Sequence, residues 1–201
     1  MSWIKTIKYE EAEGRLKKIY GKVKGPDNNV DNVLLIHSLR PHTLVGHMTL
    51  YKSVLHNSNN TLPKWYLEAL GVYVSHLNKC SYCFEHHFAG FARIFPEPEN
   101  AQSFKEAVLK EELTSFFEGK YLLGCQHAKL LTLEHHSIEE SDIEALRKTG
   151  FTDGEILEIN QVVSYFNYVN RSVVGLGVNL KDDIIGLSPN KSDDPNNWNH
   201  E

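Results

Sequence analysis

The chain has 201 residues, of which 41% are hydrophobic and 23% are charged, and this composition fits one globular domain with a sizeable core. The formal net charge of -5 and the sequence pI near 6.1 give no electrostatic reason to expect nucleic acid or an anionic membrane surface as a partner. The N-terminus lacks the apolar core of a signal peptide, and no apolar run approaches the roughly 20 residues that span a bilayer. We therefore expect a cytoplasmic protein with no membrane partner.

Taken in chain order, the apolar spacing predicts a single all-α domain over residues 1–187 and a polar tail over 188–201 that is rich in Asn, Asp and Pro. Thr61 is expected to cap a helix whose first turn contains Pro63, where the missing amide proton has no cost. The predicted helices are separated by polar turns, Gly or Pro. They cover residues 10–23, 42–56, 65–77, 81–94, 101–118, 126–136, 139–148 and 153–174.

The predicted helix over 65–77 is apolar nearly all round, which is typical of a helix at the centre of a core. Glu68 is the exception in this run. A buried carboxyl favours its neutral form unless a cation or a hydrogen-bond donor holds it ionised. Glu68 therefore needs a partner, and its ordinary interpretation is a structural pair or cap.

The most informative motif is Cys80-Ser-Tyr-Cys83, followed four residues later by His87. Residues three and four apart share one face of a helix, so both thiols and the imidazole are expected to lie on one stripe. Glu68 can reach that stripe if its helix and the next one pack as an antiparallel pair. This combination of a dithiol, a base and a carboxylate indicates thiol redox chemistry.

The start of the predicted helix also bears on the acidity of the two thiols. A helix N-terminus favours thiolate over thiol, and a nearby protonated His does the same. Cys80 lies closer to the N-terminus, so the helix dipole favours Cys80 as the more acidic of the pair.

Other interpretations of these residues remain open at this point. The two thiols and a histidine of the motif could bind zinc if His76 or His127 supplied a further ligand. Cys125 is interpreted as a small buried hydrophobe with no role. In the last predicted helix, Asn167 and Arg171 lie one turn apart and could bind a substrate anion or brace the fold, and we favour bracing.

The chain resembles the alkylhydroperoxidase D-like and carboxymuconolactone decarboxylase superfamily, and within it the peroxidase-related branch. The resemblance rests on the spacing of Glu68, eleven intervening residues, and Cys-Ser-Tyr-Cys-Phe-Glu-His-His over 80–87. The segments 32–41 and 165–178 also look like the upstream segment and the closing helix of that branch. The resemblance covers roughly residues 10–180.

The resemblance implies an all-α alkylhydroperoxidase D-like domain, with the Cys-x-x-Cys motif at the start of a core helix, that forms a homo-oligomer, either a dimer or a hexamer. It also implies a peroxidase that uses no haem, metal or other cofactor. Cys83 would attack the hydroperoxide and become a sulfenic acid, and Cys80 would resolve it to a disulfide. Glu68 and His87 would activate Cys83 by proton relay.

Two features depart from this pattern. The resemblance assigns first attack to Cys83, whereas the helix-dipole argument makes Cys80 the more acidic thiol. The best-known members also carry a His between the cysteines, and here that position is Tyr82, a much weaker base near neutral pH. Either Tyr82 or His86 could take its place in the relay.

The Cys-x-x-Cys motif and the resemblance together predict a thiol-dependent peroxidase that reduces hydrogen peroxide or organic hydroperoxides. Its electrons would come from a dithiol donor, either a lipoyl protein or a thioredoxin-like protein. The alternatives are a carboxymuconolactone decarboxylase-like lyase, against which the two cysteines argue, and a non-catalytic thiol redox sensor.

Overall fold

A computed structural model describes residues 1–187 and Trp198, and these residues form an all-α domain in which no strand occurs. The predicted tail over 188–201 lies outside the described residues, apart from Trp198. No helix in the described part of the chain is long and apolar enough to cross a membrane. The helices, numbered in chain order, are α1 (Gly14–Val23), α2 (Asn32–Leu35), α3 (Pro41–Leu55), α4 (Lys64–Leu77), α5 (Ser81–Ile94), α6 (Ala101–Leu109), α7 (Gly119–Leu133), α8 (Glu140–Lys148) and α9 (Asp153–Gly175).

Helix α4 is the centre of the core, as its apolar sequence predicts. Every residue of this helix from Tyr66 to Ser75 is buried, and Glu68 is among them. The helix packs against α5, α7 and α9, and its closest partner is α5, to which a short turn connects it. The two helices form the expected hairpin, which places Glu68 beside the middle of α5.

Close approach of α4 and α9 depends on Gly71. A Cβ atom at this position would lie 2.1 Å from Cζ of Phe166, far inside van der Waals contact. Phe166 is fully buried, so its ring has no free space into which it can move. Gly71 is therefore required for the observed packing of these two helices.

The predicted helix boundaries are wrong where a helix ends at charged residues and no Gly or Pro marks its end. The single helix predicted over 101–118 is wrong, because α6 ends at Leu109 and a 3₁₀ turn spans Leu113–Ser115. Between them Glu111 adopts a left-handed backbone with φ of 55°. Helix α7 begins at Gly119, earlier than the predicted 126.

The other helix starts differ by smaller amounts. Helix α1 begins at Gly14 and not at residue 10. Thr61 is not the cap of α4, which begins at Lys64 directly after Pro63. The backbone N–H and the hydroxyl of Thr61 instead donate to Oε1 of Glu158, at 2.8 Å and 3.0 Å, and tie this loop to α9.

The chain after α9 folds back over the short helix α2. The backbone N–H of Asn32 donates to the Asp183 carboxylate at 3.0 Å. The Asn32 side chain donates to the carbonyls of Asn179 and Lys181, at 3.0 Å and 2.9 Å. These bonds fix residues 179–183 against α2.

Candidate functional site

The turn between α4 and α5 sets the position of Cys80. Lys79 donates its backbone N–H to His76 and Cys80 donates to Ser75, at 2.9 Å and 2.8 Å, the pattern of a Schellman motif. The left-handed position of this motif usually holds Gly, yet Lys79 occupies it with φ of 56°. Cys80 is then the N-cap of α5, and its carbonyl accepts from Phe84 at 3.0 Å. The motif therefore lies at the start of a core helix, as predicted.

Both thiols of the motif are free and almost fully buried, with Cys80 1% and Cys83 3% exposed. Cys83 donates a thiol hydrogen bond to Cys80, and this bond lowers the pKa of Cys80 despite burial. The side chain of Asn170 and the backbone amides of Tyr82 and Cys83 lower it further. Burial raises the pKa of Cys83 well above its usual range. Cys80 is therefore the preferred thiolate of the resting pair, in agreement with the helix-dipole argument.

Glu68 and His87 meet between α4 and α5, as the sequence predicts. Oε2 of Glu68 lies 2.7 Å from Nδ1 of His87. If the carboxylate accepts this hydrogen bond, the His87 Nδ1 carries the proton and Nε2 is the nitrogen that can accept one. The His87 ring is also fixed edge-on by Phe166, with ring centroids 4.6 Å apart.

A second histidine, His56, contacts the same carboxylate and was missed by the sequence analysis. Its Nε2 lies 3.7 Å from Oε1 of Glu68, and both side chains are buried. His56 follows the last residue of α3, so no helical spacing relates it to the motif. Packing of α3 against α4 brings it to Glu68.

Cys83 and His87 line one cavity of about 60 Å³. This volume is sufficient for a few water-sized molecules and hence for a small peroxide. Most of the other lining side chains are aromatic or apolar, and His47 is buried among them. Burial, together with the neighbouring His37 and His87, lowers the pKa of His47 to about 3.

Tyr82 and His86 lie at the edge of this cavity, and both are directed to Asp183. The Tyr82 hydroxyl donates to Oδ2 of Asp183 at 2.5 Å and accepts from the Val33 N–H at 3.2 Å. Burial and the Asp183 charge raise the pKa of Tyr82 well above its usual range. Tyr82 is therefore a neutral hydrogen-bond donor and is unsuited as a base. His86 lies 3.5 Å from the same Asp183 oxygen.

Asn170 is a further polar residue at the thiols that sequence reasoning did not single out. It is 1% exposed, its side chain lowers the pKa of both cysteines, and its Nδ2 donates to Oγ of Ser75 at 3.1 Å. Nδ2 of Asn78 donates to Oδ1 of Asn170 and to Oδ1 of Asn167. Arg171 donates to the Asn167 carbonyl at 2.8 Å, a bond within α9.

The remaining candidate residues from the sequence do not form a metal site in the described part of the chain. The described residues contain no group of three or more His, Cys, Asp or Glu side chains that could hold a metal ion. His127 is buried in α7, and His76 lies at the end of α4. Cys125 is 1% exposed and burial raises its pKa to about 12, which confirms its interpretation as a buried hydrophobe.

Comparison with solved structures finds close similarity in fold. A peroxidase-related protein from Ralstonia eutropha, described as an alkylhydroperoxidase AhpD core, matches with a TM-score of 0.77 and 23% identity over 90% of this chain and 93% of that chain. A peroxidase-related protein from a Silicibacter species matches with a TM-score of 0.66 and 27% identity over 74% and 75%. The debrominase Bmp8 in its apo form matches with a TM-score of 0.66 and 14% identity over 84% and 87%.

No protein-family model matches the sequence, and the search of curated proteins found no significant match. The structural neighbours are AhpD-core and peroxidase-related proteins, as the resemblance in the sequence implies. The described chain therefore has the all-α alkylhydroperoxidase D-like fold.

Proposed function

We propose that the protein is a thiol-dependent peroxidase that cycles Cys80 and Cys83 between dithiol and disulfide without haem or metal. One observation carries the proposal: Cys83 lines the same small cavity as His87, whose Nδ1 is held 2.7 Å from the buried Glu68 carboxylate. A thiol, a base and a group that orients the base thus converge on a space where a small substrate can enter.

The first step oxidises Cys83. Nε2 of His87 takes the thiol proton, and the Cys83 thiolate attacks the distal oxygen of the hydroperoxide. A sulfur–oxygen bond forms as the oxygen–oxygen bond breaks. The leaving alkoxide takes the proton from His87 and departs as an alcohol, or as water when the substrate is hydrogen peroxide. Cys83 is left as a sulfenic acid.

The second step resolves the sulfenic acid. After Cys83 is oxidised, the Asn170 side chain and the backbone amides of the first turn of α5 still lower the pKa of Cys80, which supplies a thiolate for attack on the Cys83 sulfur. The sulfenic oxygen leaves as hydroxide, which takes up a proton to become water. An intramolecular disulfide remains.

A dithiol donor, either a lipoyl protein or a thioredoxin-like protein, then returns two electrons and two protons to the cysteine pair.

The order of attack is assigned by access to the cavity. Cys80 is the more acidic thiol at rest, but it does not line the cavity that holds His87. Cys83 does, and its raised pKa is overcome only when His87 removes the proton. We therefore place first attack on Cys83 and resolution on Cys80. The homo-oligomeric state implied by the resemblance is part of the same proposal.

Mass spectrometry of reduced, metal-stripped protein after brief exposure to an organic hydroperoxide tests this assignment. The wild type should form a Cys80–Cys83 disulfide, and Cys80→Ser should accumulate sulfenic acid on Cys83. Cys83→Ser should remain reduced. Sulfenic acid on Cys80 in Cys83→Ser would reverse the order of attack, and two cysteines that stay reduced in the wild type would refute the peroxidase proposal.

The fold alone does not select the reaction, because a debrominase shares it. Parallel assays with a brominated pyrrole and with a carboxymuconolactone, both in the presence of a dithiol, would identify the competing activities. A redox sensor would differ in another way, since it is oxidised once per molecule and shows no turnover when donor and hydroperoxide are both supplied.

A further inference from the structure

The two cysteines of the motif line different cavities that share no residue. Cys83 lines the small cavity that contains His87. Cys80 instead lines an open groove of about 310 Å³, here called the Cys80 groove, which also contains His76, Lys79, Phe84, Lys105 and Leu109. In a Cys80–Cys83 disulfide, the Cys83 sulfur would therefore be approached from the small cavity and the Cys80 sulfur from the groove.

The shape of the Cys80 groove restricts what can reach the sulfur. Cys80 is only 1% exposed, and Phe84 and Leu109 give the groove apolar walls. A thiol on a flat protein surface cannot enter such a recess without a projecting group. A slender aliphatic dithiol on a flexible arm can lie along the apolar walls and bring its sulfur to Cys80.

The charge of the groove comes mainly from Lys79. Lys105 also lines it, but its Nζ is paired with both carboxylate oxygens of Glu85, at 3.0 Å and 2.9 Å. Lys79 is exposed and makes no ion pair within the described part of the chain. It also occupies a left-handed backbone position directly before Cys80, where Gly would be unstrained. A cation without an ion-pair partner among the described residues thus lines the groove, at some cost in backbone strain.

We propose that the Cys80 groove is the docking site of the reductant, and that it accepts an aliphatic dithiol that carries a negative charge near its chain. Lys79 attracts this charge, and Phe84 and Leu109 hold the chain. The inference rests on the proposed dithiol–disulfide cycle and assigns its two half-reactions to two entrances. Peroxide enters at Cys83, and the reductant enters at Cys80.

The reduction proceeds by two thiol–disulfide exchanges. One donor thiol loses its proton and attacks Cys80 as a thiolate, which forms a mixed disulfide and expels Cys83 as a thiolate. Cys83 then takes up the proton that the donor thiol released. The second donor thiolate then attacks the donor sulfur of the mixed disulfide and expels Cys80. The donor leaves as a cyclic disulfide, and two electrons have passed to the cysteine pair.

Stopped-flow reduction of full-length protein, oxidised beforehand with diamide, tests the site without any use of peroxide. The two probes are dihydrolipoate, which is anionic, and dihydrolipoamide, which is neutral. At low ionic strength the wild type should react about threefold faster with dihydrolipoate, and the preference should disappear in high salt. Lys79→Gly should lose the preference, Lys79→Arg should keep it, and Leu109→Glu should reverse it.

Glu111→Gly is the matched control, because Glu111 occupies the equivalent left-handed position after α6 and carries the opposite charge. It should not slow reduction by dihydrolipoate. The unfolding temperature of Lys79→Gly should hold or rise, and its oxidation by hydroperoxide should match that of the wild type. Equal losses in Lys79→Gly and Glu111→Gly would reveal a backbone effect and overturn the proposal.

Three other results would also overturn it. The first is an equal rate of reduction of the wild type by both probes. The second is faster reduction by a thioredoxin-type protein at a rate that Leu109→Glu does not change. The third is a change in oligomer mass caused by Lys79→Gly alone, because this change would make the groove an interface between copies of the chain. Failure of hydroperoxide to oxidise the protein would refute the peroxidase proposal but leave these reduction rates measurable.

Discussion

Glu68 and His87 are joined by a 2.7 Å contact between Oε2 and Nδ1 that links the first half of α4 to the middle of α5. The carboxylate is almost completely buried, so it cannot be replaced in this role by bulk water. His56 contacts its other oxygen. The imidazole at the Cys83 cavity is therefore fixed in orientation by a residue that does not itself line that cavity.

Glu68→Gln should slow the reaction of Cys83 with hydroperoxide by at least about tenfold, because the neutral amide no longer stabilises protonated His87. The amide keeps the size of the side chain, so the protein should remain folded. Stopped-flow formation of sulfenic acid in a Cys80→Ser background measures the step. Glu85→Gln, a carboxylate on α5 outside the Cys83 cavity, is the control and should react at the unmodified rate.

His56→Gln should also slow Cys83 oxidation, by about tenfold, because Glu68 loses the imidazole beside its second oxygen. The two residues act through one chain of contacts, so their effects should not add. A double-mutant cycle with Glu68→Gln measures this coupling. His42→Gln, at an exposed histidine in the first turn of α3, should have no effect. Fully additive losses would show that His56 does not act through Glu68.

The acidity of Cys80 should depend on the thiol of Cys83. Because the Cys83 hydrogen bond is the largest cause that lowers the Cys80 pKa, Cys83→Ala should move this pKa back toward its ordinary value. Cys83→Ser retains a donor and should keep the pKa low. Thiolate absorbance as a function of pH, with Cys125→Ala as the common background, measures both variants. An unchanged titration in Cys83→Ala would assign the acidity to the helix terminus and Asn170 instead.

Much of the site follows from local sequence patterns. A stripe at helical spacing places Cys83 and His87 together, and an apolar helix followed by a short turn places Glu68 against them. These relations hold because the two helices are adjacent in the chain. The prediction of a buried, partnered Glu68 on the central helix is confirmed for the same reason.

The remaining contacts depend on tertiary packing that no local pattern encodes. Asp183 lies 101 residues after Tyr82, yet it receives the phenol hydrogen bond that removes Tyr82 from the list of possible bases. His56 reaches Glu68 only through the packing of α3. The end of α6 could not be predicted because the left-handed position that follows it holds Glu111, whereas this position usually holds Gly.

Asp31 should reduce the stability of the protein above about pH 6. Burial raises its pKa from 3.8 to about 6, which corresponds to at most about 3 kcal/mol. Because the pKa of Asp31 is higher in the folded state, its protonation adds to the free energy of unfolding. This contribution is fully present below pH 3.8 and is lost as the pH rises through 6. Asp31→Asn should therefore be more stable than the wild type at pH 7.5 and nearly equal to it at pH 3.8.

Urea unfolding of both proteins across this range measures the difference. The two proteins must be compared with each other at each pH, because buried His47 also changes the free energy of unfolding. Its pKa is lowered to about 3 in the folded state, so it destabilises both proteins as the pH falls from 6.5. Asp27→Asn, at an exposed carboxylate, should show no such trend. A constant difference between Asp31→Asn and the wild type at all pH values would contradict the assignment to Asp31 ionisation.

Gly71→Ala should affect both stability and reactivity, because the added Cβ would lie 2.1 Å from the Phe166 ring. Phe166 is fully buried and must be displaced, at a cost of about 1–3 kcal/mol. The same ring contacts His87 edge-on at 4.6 Å, so its displacement should also move the imidazole and slow the oxidation of Cys83. Urea unfolding and stopped-flow oxidation measure the two effects.

A second substitution separates overpacking from general damage to the helix. In the Gly71→Ala protein, Phe166→Leu removes the atoms that clash and should recover part of the lost stability, but the oxidation rate should stay low because the edge contact to His87 is gone. Gly46→Ala, on an exposed part of α3 with nothing within 4 Å of the added atom, should keep or raise stability. If Phe166→Leu restored the full oxidation rate, Phe166 would fill space beside His87 without orienting it.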